Sequence, residues 1–167
     1  RRTQARAADD PEFSARLARN FLLAKLANSR TVLLRAARDH PESSGAPALR
    51  AAAGDLAASL QALEHCNDLE TVRGIEGDAA RTYFDVFDHL IVAQKGTFAF
   101  TGRTRRPPRD NVNALLSFIY TLLTHDAASA LEAVGLDPQV GCLHRDRPGR
   151  PGLALDLVEE FRAFIGD

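Results

Sequence analysis

A carboxylate stands where the surrounding pattern requires an apolar side chain. Residues 69–91 have helical periodicity, and at about 100° per residue a set of apolar side chains projects within roughly 60° of Glu76. They are Leu69, Val72, Ala79, Ala80, Tyr83, Phe87 and Leu90. An ionised group in such a stripe costs several kcal/mol unless it is protonated, paired with a cation or bound to a metal. Glu76 is therefore a neutral core acid, a partner for Arg73 one turn earlier, or a metal ligand.

The predicted last helix carries three acids on one face. Asp156, Glu159 and Glu160 are spaced i, i+3 and i+4, so their charges repel one another. A solvated face accounts for such a stripe, but clustered carboxylates also suit a hard divalent cation. His144, in the loop before this helix, is either a structural histidine or a nitrogen ligand of the same ion. Periodicity does not choose among the three acids.

Two loops rich in Gly and Pro carry a concentration of arginines. These are Arg103, Arg105, Arg106 and Arg109 in the first loop, and Arg145, Arg147 and Arg150 in the second. Guanidinium groups match phosphate geometry, so both loops are candidates for nucleic-acid contacts, although charge runs in loops are often only solvated.

A strip of uncharged polar side chains runs along the helix between the two loops. Asn113, Ser117, Tyr120 and Thr124 fall at i, i+4, i+7 and i+11, so they line up on one face. Helix-to-helix hydrogen bonding explains such a strip. It could also face an active site, with Tyr120 as a donor or orienting group.

The elements that must position these residues are helical. Predicted helices cover residues 11–39, with a candidate break near Asn28, then 49–66, 69–91, 111–135 and 153–166. Asp10 and Pro11 are a cap and first position for the first of them. Residues 111–135 are apolar almost all round, which predicts a buried central helix. With little β-branched alternation, a single all-α domain over residues 1–167 is expected.

Composition limits the classes of function. A chain of 167 residues with 45% hydrophobic content buries one core, and its net charge of -1 conceals local arginine patches. No apolar run is expected to approach the roughly 18 residues that a membrane span needs, and a soluble cytoplasmic protein is predicted. Cys66 and Cys142 suit a reducing compartment. A zinc site from these cysteines with His65 and His144 is disfavoured by their spacing.

The segments that carry these candidate residues resemble one protein family. "RGIEGDAARTYF", "RTRRPPRDNVNALLSFIYTLL", "GLDPQVGCLHRDRPGRPGLALDLVEEFR" and, more weakly, "LARNFLLAKLANSRTVL" are similar to the C-terminal helical domain of the CRISPR-associated integrase. That family is the metal-dependent endonuclease and catalytic subunit of the spacer-acquisition machinery. The resemblance covers nearly the whole chain.

The resemblance implies a metal site and a reaction. Its ligands would be Glu76, His144 and Glu159, with Asp156 as an auxiliary acid and Tyr120 orienting the reacting strand. Mg²⁺ or Mn²⁺ would assist transesterification, in which the 3′-hydroxyl of captured DNA attacks a phosphodiester at the edge of a CRISPR repeat. The phosphate backbone would then be held by Arg103, Arg105, Arg106, Arg145, Arg147 and Arg150. Gly74 and Gly77 are expected to let other segments approach Glu76.

The resemblance also implies partners. Members of the family act on double-stranded and branched DNA, form homodimers with the support of an N-terminal β-rich domain, and work with a small ferredoxin-like protein. Some work with a nuclease that trims the captured DNA. Here no β-rich segment precedes the first predicted helix, so a fragment of a longer protein is expected. The alternative hypothesis is a non-catalytic helical module that binds DNA or protein through its arginine loops.

Overall fold

The chain is entirely helical in the parts that its structure describes. A computed structural model describes residues 1–144 and 147–167, and within them no strand occurs. The helices are α1 (Arg2–Ala8), α2 (Pro11–Asp39), α3 (Ala46–Glu64), α4 (Leu69–Asp85), α5 (Asn111–Ala133) and α6 (Gly152–Phe161). A 3₁₀ turn (Phe87–Leu90) follows α4, and a π-helical turn (Arg162–Gly166) follows α6. The predicted all-α class is confirmed.

Helix α2 begins where its capping residues place it. The Asp10 carboxylate accepts hydrogen bonds from the backbone N–H groups of Glu12 and Phe13, and Pro11 takes the first turn, where no N–H is needed. The helix continues through Asn28, whose side chain donates to the Glu160 carbonyl at 2.8 Å. A break near Asn28 is therefore absent. Helix α1, before this cap, was not among the predicted elements.

Helix α2 is the central helix of the domain, and it packs against α3, α4 and α6. Its buried residues repeat every three or four positions: Ser14, Ala15, Ala18, Leu22, Leu26, Ser29, Leu33 and Ala37. The prediction that residues 111–135 form the buried central helix is wrong. Helix α5 leaves Leu115, Phe118 and Leu122 exposed, because its described neighbours cover only part of its circumference.

The length and apolar composition of helix α5 bear on the expectation about membrane spans. Asn111–Ala133 is long and apolar enough to cross a membrane, and it is the one such helix within residues 1–144 and 147–167. The expectation that no run approaches this length is therefore wrong. Length and composition of this kind also occur in helices of water-soluble proteins, so this feature alone is weak evidence for a span.

The first arginine loop is attached at both of its ends. Near its start, the Asp88 carboxylate accepts the backbone N–H of Phe100 at 2.9 Å, and the Phe100 ring packs on Phe87 at 4.9 Å between centroids. Further along, the buried Asn113 side chain accepts the N–H of Thr104 at 2.9 Å and donates to the Gly102 carbonyl. These contacts hold the arginines that follow Gly102 beside α5.

The core of α2 provides a matched test of this packing. Leu33 is fully buried, whereas its neighbour Leu34 is 36% exposed. Because truncating a buried leucine removes its contacts and leaves a cavity, Leu33→Ala should lower the free energy of unfolding by about 2–5 kcal/mol. Leu34→Ala should change it by less than about 1 kcal/mol. Urea unfolding followed by circular dichroism measures both, and equal losses would contradict the assigned register.

Candidate metal centre and arginine groove

Two of the predicted ligands meet at a lysine from the central helix. Lys25 Nζ lies 2.5 Å from Glu76 Oε1 and 2.7 Å from Glu159 Oε2. The three side chains come from α4, α6 and α2, which are far apart in the chain. The partner that the apolar stripe requires for Glu76 is therefore Lys25, while Arg73 pairs with Glu70 at 2.5 Å.

Glu159 is an ionised carboxylate in a dry environment. Only 2% of the residue is exposed, and Arg162 Nη1 lies 2.6 Å from its Oε1. Burial by itself would raise the pKa of Glu159, but the charges of Lys25 and Arg162 outweigh burial and lower the pKa to about 2. Likewise, burial would lower the pKa of Lys25, but Glu159 and Glu76 raise it. The site thus contains paired charges.

Asp156 organises the loop that carries His144. Its Oδ2 accepts the backbone N–H groups of Cys142 (2.7 Å) and Leu143 (2.9 Å), and its Oδ1 accepts the backbone N–H of His144 at 3.0 Å. The same Oδ1 lies 2.7 Å from His144 Nδ1. Because a carboxylate only accepts, Nδ1 donates to Oδ1, and this hydrogen bond fixes the orientation of the imidazole ring. Nε2 lies 3.8 Å from Glu159 Oε1.

Two further contacts position this loop. Arg73, on the same helix as Glu76, donates through Nε to the Leu143 carbonyl at 2.7 Å. A Cβ at Gly141 would come within 2.8 Å of Asp156 Oδ2, so the loop approaches Asp156 only because residue 141 is glycine. By contrast, a Cβ at Gly74 or Gly77 would meet nothing within 4 Å, which overturns the expectation that these two glycines permit close approach.

The donor atoms suit a divalent cation that prefers oxygen and imidazole ligands. Glu159 Oε2 is buried and accepts no well-aligned hydrogen bond, although Lys25 Nζ is 2.7 Å away. Glu76 Oε1 lies at the same lysine, and His144 Nε2 is nearby. Carboxylate oxygens and an imidazole nitrogen suit Mg²⁺ or Mn²⁺, whereas a structural zinc site would use thiolates. In residues 1–144 and 147–167, no three His, Cys, Asp or Glu side chains already surround one point closely enough to hold an ion.

The structure also distinguishes the three acids of the last helix. Glu159 contacts Lys25 and Arg162 and faces His144, whereas Asp156 is fully buried under the loop and bonds to His144 on the opposite side of the ring. Glu160 is only partly buried, and its carbonyl accepts from Asn28. Of the three acids, Glu159 is the one that contacts the same cation as Glu76.

An open groove of about 770 Å³ lies beside these residues. His144, Tyr120 and Thr124 line it together with arginines of both loops and of the turn after α6: Arg103, Arg105, Arg106, Arg147, Arg150 and Arg162. The predicted phosphate contact Arg145 lies outside the described residues. The polar strip of α5 therefore faces a cationic groove next to the candidate metal ligands.

Arg103 and Tyr120 already have partners in the groove wall. Arg103 Nη1 donates to Asn113 Oδ1 at 2.7 Å, and its guanidinium lies 5.5 Å from the centroid of the Tyr120 ring. The guanidinium of Arg162 lies 4.6 Å from the centroid of the same ring. The Tyr120 hydroxyl donates to Asp167, and burial raises the pKa of Tyr120 above its ordinary value. Tyr120 is therefore a protonated donor at neutral pH, with two guanidinium groups close to its ring.

Sequence reasoning missed Lys25 and Arg162 as members of the site. Lys25 could have been found by the argument applied to Glu76, because Leu22, Lys25 and Ser29 share one face of α2. It is also one of only two lysines in an arginine-rich chain. Arg162 follows Glu159 at i+3, a spacing that favours an ion pair on a helix.

An all-helical domain that brings two carboxylates and a histidine together beside a groove of arginines has the features of a phosphate-binding protein. The chain belongs to the Cas1 family: the family model "CRISPR associated protein Cas1" matches residues 1–167. A Cas1 endonuclease of Chlorobaculum tepidum is 55% identical over 167 residues, which is all of this chain and 49% of that protein. One from Leptospira interrogans is 47% identical over 165 residues, 99% of this chain and 65% of that protein.

Solved structures agree with this assignment. A casposase bound to its integration product has a TM-score of 0.79 and 30% identity, over 96% of this chain and 43% of that one. A Cas1 protein from Thermotoga maritima has a TM-score of 0.78 and 27% identity, over 98% of this chain and 48% of its own. The chain thus spans about half the length of several proteins that it matches.

Asp156 offers a test of how the His144 loop is held. In Asp156→Asn, the amide nitrogen cannot accept the backbone N–H groups, so part of the buried network is left unpaired. The free energy of unfolding should fall by about 2–4 kcal/mol, because a buried charge-assisted network is broken. Thermal unfolding measures this loss. Glu160→Gln, a matched change on the same helix, should have little effect; an equal loss there would contradict the role of Asp156.

Proposed function

We propose that this chain is the catalytic domain of a divalent-metal-dependent DNA endonuclease and integrase of CRISPR adaptation. The observation that carries the proposal is that Glu76 and Glu159 meet at Lys25, with His144 next to Glu159, beside the arginine groove, although the three residues come from separate segments. Such convergence is what a catalytic site requires and what helix periodicity alone does not demand. The names of the relatives support the activity, since they are Cas1 endonucleases and a casposase bound to an integration product.

The proposed reaction is a phosphoryl transfer without a covalent enzyme intermediate. The 3′-hydroxyl of a captured DNA end gives up its proton to solvent, and its oxygen forms a new bond to phosphorus at the edge of a CRISPR repeat. The existing bond from phosphorus to the repeat strand's 3′-oxygen breaks, and that oxygen leaves with a proton as a new 3′-hydroxyl. With water as the nucleophile, the same exchange hydrolyses branched or single-stranded DNA. A bound Mg²⁺ or Mn²⁺ would stabilise the negative charge that develops on the phosphate oxygens.

The residues of the chain would bind the ion and orient its ligands. Glu76, His144 and Glu159 would hold the ion, while Asp156 keeps the His144 ring oriented with Nε2 on the side of Glu159. Arg73 fixes the loop of His144 to the helix of Glu76, so that two ligands move as one unit. These contacts orient the ligands in advance, which lowers the reorganisation needed during the reaction.

The groove would hold the DNA backbone close to the ligands. Arg105, Arg106 and Arg147 line it, and within the described part of the chain none of them forms an ion pair with a carboxylate, so their guanidinium groups suit phosphate. Tyr120, whose hydroxyl donates to Asp167, would orient the reacting strand at the same wall. Because Arg103 already bonds to Asn113, its contribution would be mainly to the shape of the groove.

The partners follow from the relatives rather than from contacts in this chain. Structures of Cas6-RT-Cas1–Cas2 complexes match with TM-scores of 0.82 and 0.81, so a Cas2-type ferredoxin-like partner is proposed. A Geobacter sulfurreducens relative, 45% identical, is a fusion of a Cas4 exonuclease with Cas1, which suggests cooperation with a trimming nuclease. Homodimerisation of the full-length protein and a cytoplasmic location complete the proposal.

Removal of the proposed ligands tests the enzyme assignment. Glu76→Ala and His144→Ala should reduce Mn²⁺-dependent cleavage and strand transfer on branched DNA by about 10²-fold or more, because each removes a ligand of the ion. The assay uses the full-length protein, and circular dichroism confirms folding. The exposed pair Glu42→Ala and His40→Ala provides matched controls. Wild-type activity in both ligand variants would show that the site is assigned to the wrong residues. Absence of Mn²⁺-dependent turnover in the wild-type protein would favour the non-catalytic binding module.

Charge removal from the groove tests the DNA interface. A triple variant with Arg105, Arg106 and Arg147 changed to Ala should bind DNA more weakly at every sequence. The slope of the logarithm of its DNA association constant against the logarithm of the salt concentration should become shallower by about 0.9 for each phosphate that the variant no longer neutralises. The control changes Arg35, Arg38 and Arg81, which are exposed and lie outside the groove, and it removes the same total charge. Fluorescence anisotropy measures both; identical slopes would place the DNA elsewhere.

A further inference from the structure

One cation of the protein lies where the two candidate carboxylate ligands meet. Lys25 Nζ is 2.5 Å from Glu76 Oε1 and 2.7 Å from Glu159 Oε2, and its side chain is only 12% exposed. The ammonium therefore contacts an oxygen of each carboxylate that a shared divalent ion would also need. Neither the family match nor the names of the relatives assigns a role to this lysine.

The position of Lys25 has an energetic consequence for the two acids. Without the ammonium between them, the carboxylates of Glu76 and Glu159 would repel each other. Their environment is partly buried, so their charges are only weakly screened. Glu159 has a second cation in Arg162 at 2.6 Å, but the ion pair of Glu76 is with Lys25. Lys25 is thus the group that joins the Glu76 helix to the Glu159 helix.

The surroundings allow the ammonium to move without leaving the protein. Lys25 and Glu76 line a small cavity of about 30 Å³, and Tyr83, Tyr120 and Asp167 line the same cavity. The Asp167 carboxylate is therefore a second anion within the cavity that the lysine borders. A flexible four-carbon side chain with a compact charge can exchange between such sites more readily than an arginine fork.

We propose that Lys25 is an internal counter-cation of the metal centre, which holds Glu76 and Glu159 together and competes with the divalent ion for their oxygens. It is a positioning residue, and the inference rests on the proposed metal site. When an ion binds, the ammonium gives up at least one carboxylate and turns into the adjoining cavity. Lys25 thereby weakens metal affinity but keeps the ligands assembled when metal is scarce.

The test compares Lys25→Met with Lys95→Met, because these are the only two lysines and Lys95 pairs with the surface residue Asp88. Purified full-length variants are studied without DNA. Lys25→Met should bind Mn²⁺ roughly tenfold more tightly or better by titration calorimetry, about 1.4 kcal/mol. In EDTA its Tm should fall, and saturating Mn²⁺ should raise that Tm by more than in wild type, since binding to the folded state stabilises it. Lys95→Met should bind Mn²⁺ like wild type.

A double variant keeps the test decisive if Lys25→Met folds poorly. Lys25→Met combined with Glu76→Gln removes both members of the ion pair, so its Tm in EDTA should recover toward wild type. Failure to recover would overturn the bridging role of Lys25.

The metal titrations separate the two proposals. If wild type binds Mn²⁺, Glu76→Gln abolishes binding and Lys25→Met binds no more tightly, the counter-cation inference is wrong while the metal site stands. If neither wild type nor Lys25→Met binds Mn²⁺, both the metal site and the inference fail.

Discussion

Glu159 keeps its negative charge while almost completely removed from water, and this constraint determines how the helices around it are arranged. A buried carboxylate needs cations at close range, and Lys25 and Arg162 supply them from α2 and from the turn after α6. Lys25 in turn contacts Glu76, so α4 is drawn into the same network. The result is an electrostatic junction among three helices at which the candidate ligands meet. Structure and proposed chemistry therefore depend on the same charges.

A second buried carboxylate, Asp156, holds the loop of His144 in place, as Glu159 holds the helices together. It accepts three consecutive backbone N–H groups and the His144 ring, which turns a short irregular segment into a defined one. Arg73 closes the arrangement from the other side by binding the Leu143 carbonyl. Because Asp156 is charged and fully buried, displacement of the loop would leave its carboxylate without these donors. The histidine is thereby held near Glu159 without help from a long secondary-structure element.

The helices that carry no ligands still shape the site. Helix α2 forms the core and presents Lys25 from its buried face, whereas α5 contributes a wall of the arginine groove through Tyr120 and Thr124. Asn113 links α5 to the first arginine loop by bonding Thr104 and Gly102. The partial exposure of α5 is therefore explained by its three faces. One face packs on the domain, another borders the groove, and the third is exposed.

The sequence by itself determined helices α2 to α6 and the residue types of the candidate ligands. Caps such as Asp10, the helical spacing of apolar residues and the anomaly of Glu76 are local properties, which hold wherever the segments lie. Resemblance to a family added His144 and Glu159, whose spacing alone did not single them out. Only the tertiary structure decided that Lys25 is the partner of Glu76, that α2 rather than α5 is central, and that Asp156 supports the histidine. Each of these depends on contacts between segments distant in sequence, and periodicity shows which face of a helix is apolar but not what covers it.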